Sequence, residues 1–263
     1  MKTWFVVALA GLAGTLFAQT VKLDAVKQFG KRPTAAIEGD VLTITGPDLL
    51  VFYEKFPFDS EAKYTLSCEI RLPDGEKNGA LFLAGYYIFD KTGKQLTHHQ
   101  VMAYPGSGTK LAADVKAGDK VIKIVNGEKW KKNSSGYVAF NAKEDYSDLP
   151  NRECVANITK VEQVNGVWEV TLGSPVKRDY PAGTGVREHS DGGYLYAATA
   201  YPKGEWTKVS GTLSGMPAIG DCTISSQKTF WPCTAKIRPI LMVNWRVAGK
   251  KVQIRNVTLE QVK

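Results

Sequence analysis

Histidine is scarce in this chain of 263 residues: there are three, and two are neighbours, His98 and His99. Adjacent side chains on a strand point to opposite faces, so this pair cannot hold one metal ion between them. His189, beside Glu188 and close to Asp191, reads as part of a solvated turn. The four cysteines show no C-x-x-C spacing, which excludes a zinc knuckle and a thioredoxin-like redox site. Catalytic signatures are missing too: no G-x-S-x-G, H-E-x-x-H or phosphate-binding glycine loop occurs. No heptad seam is present, and the 25 glycines and 12 prolines are scattered, so coiled-coil and collagen-like classes fall away. After residue 18 no apolar run is long enough to span a bilayer. A hydrophobic content of 43% can fill a core, which excludes disorder.

What is present begins with a leader-like segment. Lys2 precedes an apolar stretch from Phe5 to Phe17, Ala18 is a small residue suited to a cleavage site, and polar sequence follows from Gln19. Residues 1–18 therefore read as a signal peptide, and the protein is expected to be secreted or periplasmic. Export makes disulfides available. Cys222 and Cys233 flank ten residues rich in polar and turn-forming types, and a loop-closing bridge is expected there, contributing roughly 2–3 kcal/mol. Cys68 alternates with Leu66 and Ile70 and reads as a buried small hydrophobe. Cys154 lies in a different region and is not paired with it.

From there on the chain reads as strands. Short β-branched and aromatic runs are punctuated by Gly, Pro, Asn and Asp. Candidates are Val41–Ile44, Tyr64–Leu72, Leu81–Phe89, Thr97–Tyr104, Val121–Val125, Val155–Val164, Trp168–Leu172, Tyr194–Ala200, Trp206–Leu213, Ile237–Trp245 and Val252–Val262. Asn165-Gly166 between two apolar runs predicts a tight hairpin. The class is all-β, and the absence of a blade-length repeat favours a sandwich over a propeller.

A middle segment, residues 109–191, behaves as a unit of its own. Pro105-Gly106-Ser107-Gly108 precedes it and Gly192-Gly193 follows, both joints that tolerate an insertion. Within it, Ala117-Gly118 and Ala182-Gly183 are turns that each lead into a valine, which fits a small β-barrel or roll whose ends meet. Trp130 and Trp168 are its expected anchors, and residues 19–108 and 192–263 are then two parts of one sandwich.

Those flanking parts resemble a jelly-roll sandwich of the galactose-binding-like kind. Three stretches carry the resemblance: Tyr64–Arg71, the Trp206-Thr-Lys-Val-Ser-Gly run, and Lys236–Asn244 followed by Val252–Glu260. The middle segment resembles small β-inserts of bacterial surface and phage-tail proteins. The resemblance implies carbohydrate binding. In such families an Asp before the N-V-x-L of the last strand helps hold a structural calcium; here Arg255 precedes Asn256-Val257, so that motif does not support calcium. No other cofactor or metal is expected.

Alternation selects a candidate binding face. Leu66, Cys68 and Ile70 point one way and Ser67, Glu69 and Arg71 the other. Treating Thr97–Tyr104 and Ile237–Trp245 likewise gathers Glu69, Arg71, His98, Gln100, Tyr104, Arg238 and Asn244 on one surface. Planar polar groups beside aromatic rings suit sugars, whose hydroxyls take paired hydrogen bonds and whose apolar faces stack on rings. Trp231, inside the Cys222–Cys233 loop, is a further candidate, as a stacking platform or a lid on the core. Tyr194 and Tyr196 read as lining the mouth of the sandwich or packing in its core; Trp206 and Trp245 read as core. Two other classes compete with a non-catalytic module. A polysaccharide lyase would use His98, Tyr104, Arg71 and Gln100, and a glycosidase would pair Glu69 with Glu54. A structural or adhesive subunit would use the middle segment for protein contacts.

Charge is distributed unevenly. The net is +8, yet residues 192–263 hold 10 basic residues against 3 acidic ones, or +7. An exported protein without a basic-aromatic nucleic-acid motif points to an acidic polysaccharide as partner rather than nucleic acid.

Overall fold

A computed structural model describes residues 18–131, 136–218 and 228–263. The expected leader up to residue 17 therefore lies outside the described residues, as does Cys222. The first stretch forms β1 (Ala18–Lys22), the short helix α1 (Ala25–Phe29), β2 (Ala35–Glu38), β3 (Val41–Thr45), β4 (Asp48–Val51), β5 (Phe56–Pro57), β6 (Lys63–Arg71), β7 (Phe82–Phe89) and β8 (Gln95–Leu96). After α2 (His98–Val101) come β9 (Thr109–Lys110), β10 (Val121–Ile124), β11 (Tyr137–Phe140), β12 (Cys154–Ala156), β13 (Ile158–Val164), β14 (Val167–Leu172) and β15 (Gly185–His189). The chain closes with β16 (Leu195–Ala200), β17 (Thr207–Ser214), β18 (Lys236–Val243) and β19 (Lys251–Val262).

Two six-stranded antiparallel sheets make a β-sandwich. One runs β17-β6-β19-β3-β2 with β1 against β19; the other runs β16-β7-β18-β4, with β5 on β18 and β8 on β7. Alternation decides their inner faces. Tyr64, Leu66, Cys68 and Ile70 of β6 point into the core, as do Phe82, Ala84, Tyr86 and Ile88 of β7 and Ile237, Leu241 and Val243 of β18. Phe230 joins this core from the loop before β18, with its ring 5.3 Å from that of Tyr64 and 5.4 Å from that of Tyr86. β19 serves two partners by means of an irregularity between Arg255 and Thr258: β3 pairs with its first part and β1 with its last.

The strands between Thr109 and His189 form two further sheets, β12-β11-β15-β9 and β10-β14-β13. They enclose a second core, which includes Trp130, Val138, Phe140, Val170 and Val186, with Trp168 against it. Asn165 and Gly166, at φ 49° and 82°, turn the β13–β14 hairpin as a primed turn requires. The ends of this stretch meet where β9 pairs with β15.

Several expectations are corrected. Thr97–Tyr104 is not a strand: Gln100 Oε1 accepts from the Thr97 N–H at 3.2 Å in a capping box that opens α2. His189 is not in a solvated turn but wholly buried in β15, next to Arg187 and Glu188, which are buried as well. Trp206 is not core; it lies against two arginines on the outer face of the first sheet. Trp245 falls just past β18 and is 38% exposed, with the Arg246 guanidinium over its ring. The expected Cys222–Cys233 bridge involves a residue outside the described ones, and no disulfide joins Cys68 to Cys154.

Candidate functional site

A pocket of about 540 Å³ opens beside the edge strand β16. Its walls come from α2, the Asp191–Tyr196 stretch and the Thr229–Trp231 loop. The capping box that starts α2 sets His98 against Trp231, ring centres 5.6 Å apart at 80°. His98 Nδ1 lies 3.2 Å from the Ser190 carbonyl and 3.0 Å from its hydroxyl. A carbonyl only accepts, so Nδ1 carries the proton and Nε2 is left as an acceptor. Burial lowers the pKa of His98, which keeps the ring neutral near pH 7. Gly192 is required beside it: a Cβ there would stand 2.5 Å from the His98 ring.

The second wall is aromatic. Tyr194 and Tyr196 meet edge-on at 6.3 Å, and Tyr87 extends the cluster with its ring 4.9 Å from Tyr194. The Tyr196 hydroxyl lies 3.6 Å from Met242 Sδ, covering the outer face of the second sheet. Asp191 lies at the pocket rim, exposed, with Oδ1 accepting from the Gly192 N–H at 2.8 Å. It is the one carboxylate lining the pocket among the described residues. Rings with a few polar groups at their margin, in a volume of this size, can bury one sugar unit and order it by stacking.

The seven residues selected by alternation, with Trp231 from the loop, do not form one surface. His98 and Trp231 meet in the pocket, Trp231 also being part of the sandwich core. Glu69 and Arg71 lie on the outer face of the first sheet, where Arg255 Nε donates to Glu69 Oε2 at 2.6 Å and Arg71 Nε to Gln253 Oε1 at 2.6 Å. Arg255 holds the Glu69 carboxyl below the usual range, with Asn256 assisting. Arg238 belongs to the other sheet, over the Phe89 ring and opposite Tyr87. Gln100 is taken up by the Thr97 N–H and by Arg152 Nη1 at 3.1 Å, and Tyr104 sits under the Lys131 ammonium at 3.8 Å. Asn244 is a buried strut, with Nδ2 donating to the Ile44 and Gly46 carbonyls at 3.2 and 3.0 Å. The lyase set of His98, Tyr104, Arg71 and Gln100 is thus dispersed. The two carboxylates of the glycosidase pair are each engaged by other side chains, Glu54 by Gln28 Nε2 and Glu69 by Arg255 and Asn256.

Trp206 was legible but misread. Val209 and Leu213 face the core, so the alternation that places them there puts 206, 208, 210 and 212 outside. Among the described residues no group of three or more His, Cys, Asp or Glu is placed to hold a metal ion, and no helix is long and apolar enough to cross a membrane. The chain matches no protein-family model and no curated protein, so the reading of its sites rests on their own geometry.

Proposed function

We propose that the protein is a secreted, non-catalytic carbohydrate-binding module built on a galactose-binding-like jelly roll, with residues 109–191 inserted between the two parts of the sandwich. The pocket beside β16 is its sugar site. The observation that carries this reading is the convergence of Trp231, Tyr194 and Tyr196 with the neutral His98 around one open volume. Tyr194 and Tyr196, both half-buried, offer apolar faces to a pyranose, and the buried Trp231 backs the pocket behind His98. His98 Nε2 accepts from a sugar hydroxyl, and Asp191 at the rim accepts from others.

A glycan array followed by incubation with the best-bound glycan tests the proposal. Binding without new reducing ends or unsaturated products is the expected result. Turnover of the bound glycan would replace the module with an enzyme. Tyr196→Ala is expected to weaken binding by about tenfold or more, from the loss of one stacking ring. An unchanged affinity in Tyr196→Ala would move the sugar site elsewhere.

A further inference from the structure

The outer face of the first sheet carries a second arrangement, distinct from the pocket. Trp206 precedes β17, and its ring receives two guanidinium groups, Arg71 from β6 with Cζ 4.8 Å from the ring centre and Arg255 from β19 at 4.1 Å. Each arginine is tethered through Nε, Arg71 to Gln253 and Arg255 to Glu69. Their terminal NH₂ groups donate to no described protein acceptor. Lys208 stands directly opposite Glu69 in the β17–β6 register. Arg255 and Lys208 both act on the Glu69 carboxylate, and Arg71 shares the Trp206 ring with Arg255.

Like charges held this close repel, and one carboxylate offsets only one of them. Stacking and the Nε tethers remove most of the freedom the two arginines would lose on binding. Two ordered guanidinium forks with unused donors match the oxygens of a carboxylate or sulfate group, which accept paired hydrogen bonds. A lone lysine patch would supply charge without this geometry. The cluster also gives the basicity of residues 192–263 a location, since Arg255 and Lys208 both belong to that stretch.

We infer that Arg71, Trp206 and Arg255 form an oxyanion site that takes the carboxylate or sulfate groups of an acidic polysaccharide. That the anion is borne by a glycan rests on the preceding proposal; the anion site itself does not.

Affinity electrophoresis through gels containing dextran sulfate, polygalacturonate or uncharged dextran tests this on the full chain. The wild-type protein is expected to be retarded by a charged polymer and not by dextran, and the two charged polymers separate sulfate from carboxylate as the preferred group. Arg71→Gln and Arg255→Gln should each weaken retention by about fivefold or more. Arg71→Lys, which keeps the charge and loses the fork, should be impaired as well. The control Lys31→Gln/Lys177→Gln, which removes two exposed lysines elsewhere, should stay within about twofold of wild type. Equal loss in that control would reduce the effect to general basicity and overturn the site, as would arginine variants that bind like wild type. A neutral glycan retained in the pocket while no charged polymer binds would overturn the anion site and leave the sugar pocket standing.

Discussion

His189 shows how much one buried side chain can do to the pH response. Arg187 Nε donates to its Nε2 at 3.0 Å, while its Nδ1 lies 2.6 Å from the His99 carbonyl. Burial first, then the Arg187 charge, lowers its pKa from 6.5 to about 4, against opposing influences from the His99 carbonyl and then Asp148. The unfolded chain therefore binds more protons than the folded one between these values. Stability should be level above about pH 6.5 and fall as the pH drops toward 4, by on the order of 3 kcal/mol from this group. Urea unfolding across that range checks the slope, and an imidazole resonance titrating near neutral pH would refute its origin in His189. Asn244 makes a second prediction at this scale. Its φ of 49° suits Asn better than Ala, and its Nδ2 ties the end of β3 to β18. Asn244→Ala should cost about 2 kcal/mol in urea unfolding while leaving glycan binding unchanged. Neither role was legible in the sequence, where both residues read as polar and surface-bound.

Among the elements, long alternating strands were the readable ones. β6, β7, β17, β18 and β19 all fall within or close to the predicted runs, because each buries one face and alternation records that face. β15 left no such record: Val186, Arg187, Glu188 and His189 are all buried, so charged residues fill positions where apolar ones would signal a strand. Their mutual pairing, including Arg187 to Asp148 at 2.8 Å, makes that burial tolerable. α2 failed for a different reason, since Thr97-x-x-Gln100 signals a helix start inside a run that also alternates. The contact of β16 with β17 closes one side of the sandwich and makes Gly211 essential. A Cβ there would stand 2.1 Å from the Ala197 carbonyl oxygen. Gly211→Ala should lower Tm by about 4–8 °C, read by calorimetry, because backbone rather than a flexible side chain must give way.

At the scale of the whole molecule, two hydrophobic cores are joined by a polar seam. Tyr104 N donates to Glu188 O and Ser190 N to Met102 O, both at 2.9 Å, and Asn151 N to Gln100 O at 2.8 Å. Arg152 spans the same seam, reaching Asp90 at 2.8 Å and the Gln95 carbonyl at 3.1 Å. Leu149 packs into the sandwich core from the far side. This coupling predicts one cooperative calorimetric transition for the wild-type protein. Arg152→Ala should broaden it or split it in two, because Asp90 loses its ionic partner across the seam. A sharp, unshifted transition in that variant would show that the seam does not transmit stability.

The sequence by itself determined the class of the fold, the inner faces of its longest strands and the tight β13–β14 turn. These follow from local rules: side chains alternate along a strand, and left-handed backbone favours Asn and Gly. Only the tertiary structure decided which polar residues meet. Glu69 and Arg238 share a pattern of alternation but belong to different sheets, while His98 and Trp231 share no pattern and form one pocket. Alternation assigns a side to each strand without assigning its neighbours. Sheet order and the loops that cross the open edge set those neighbours, and with them the chemistry available at each surface.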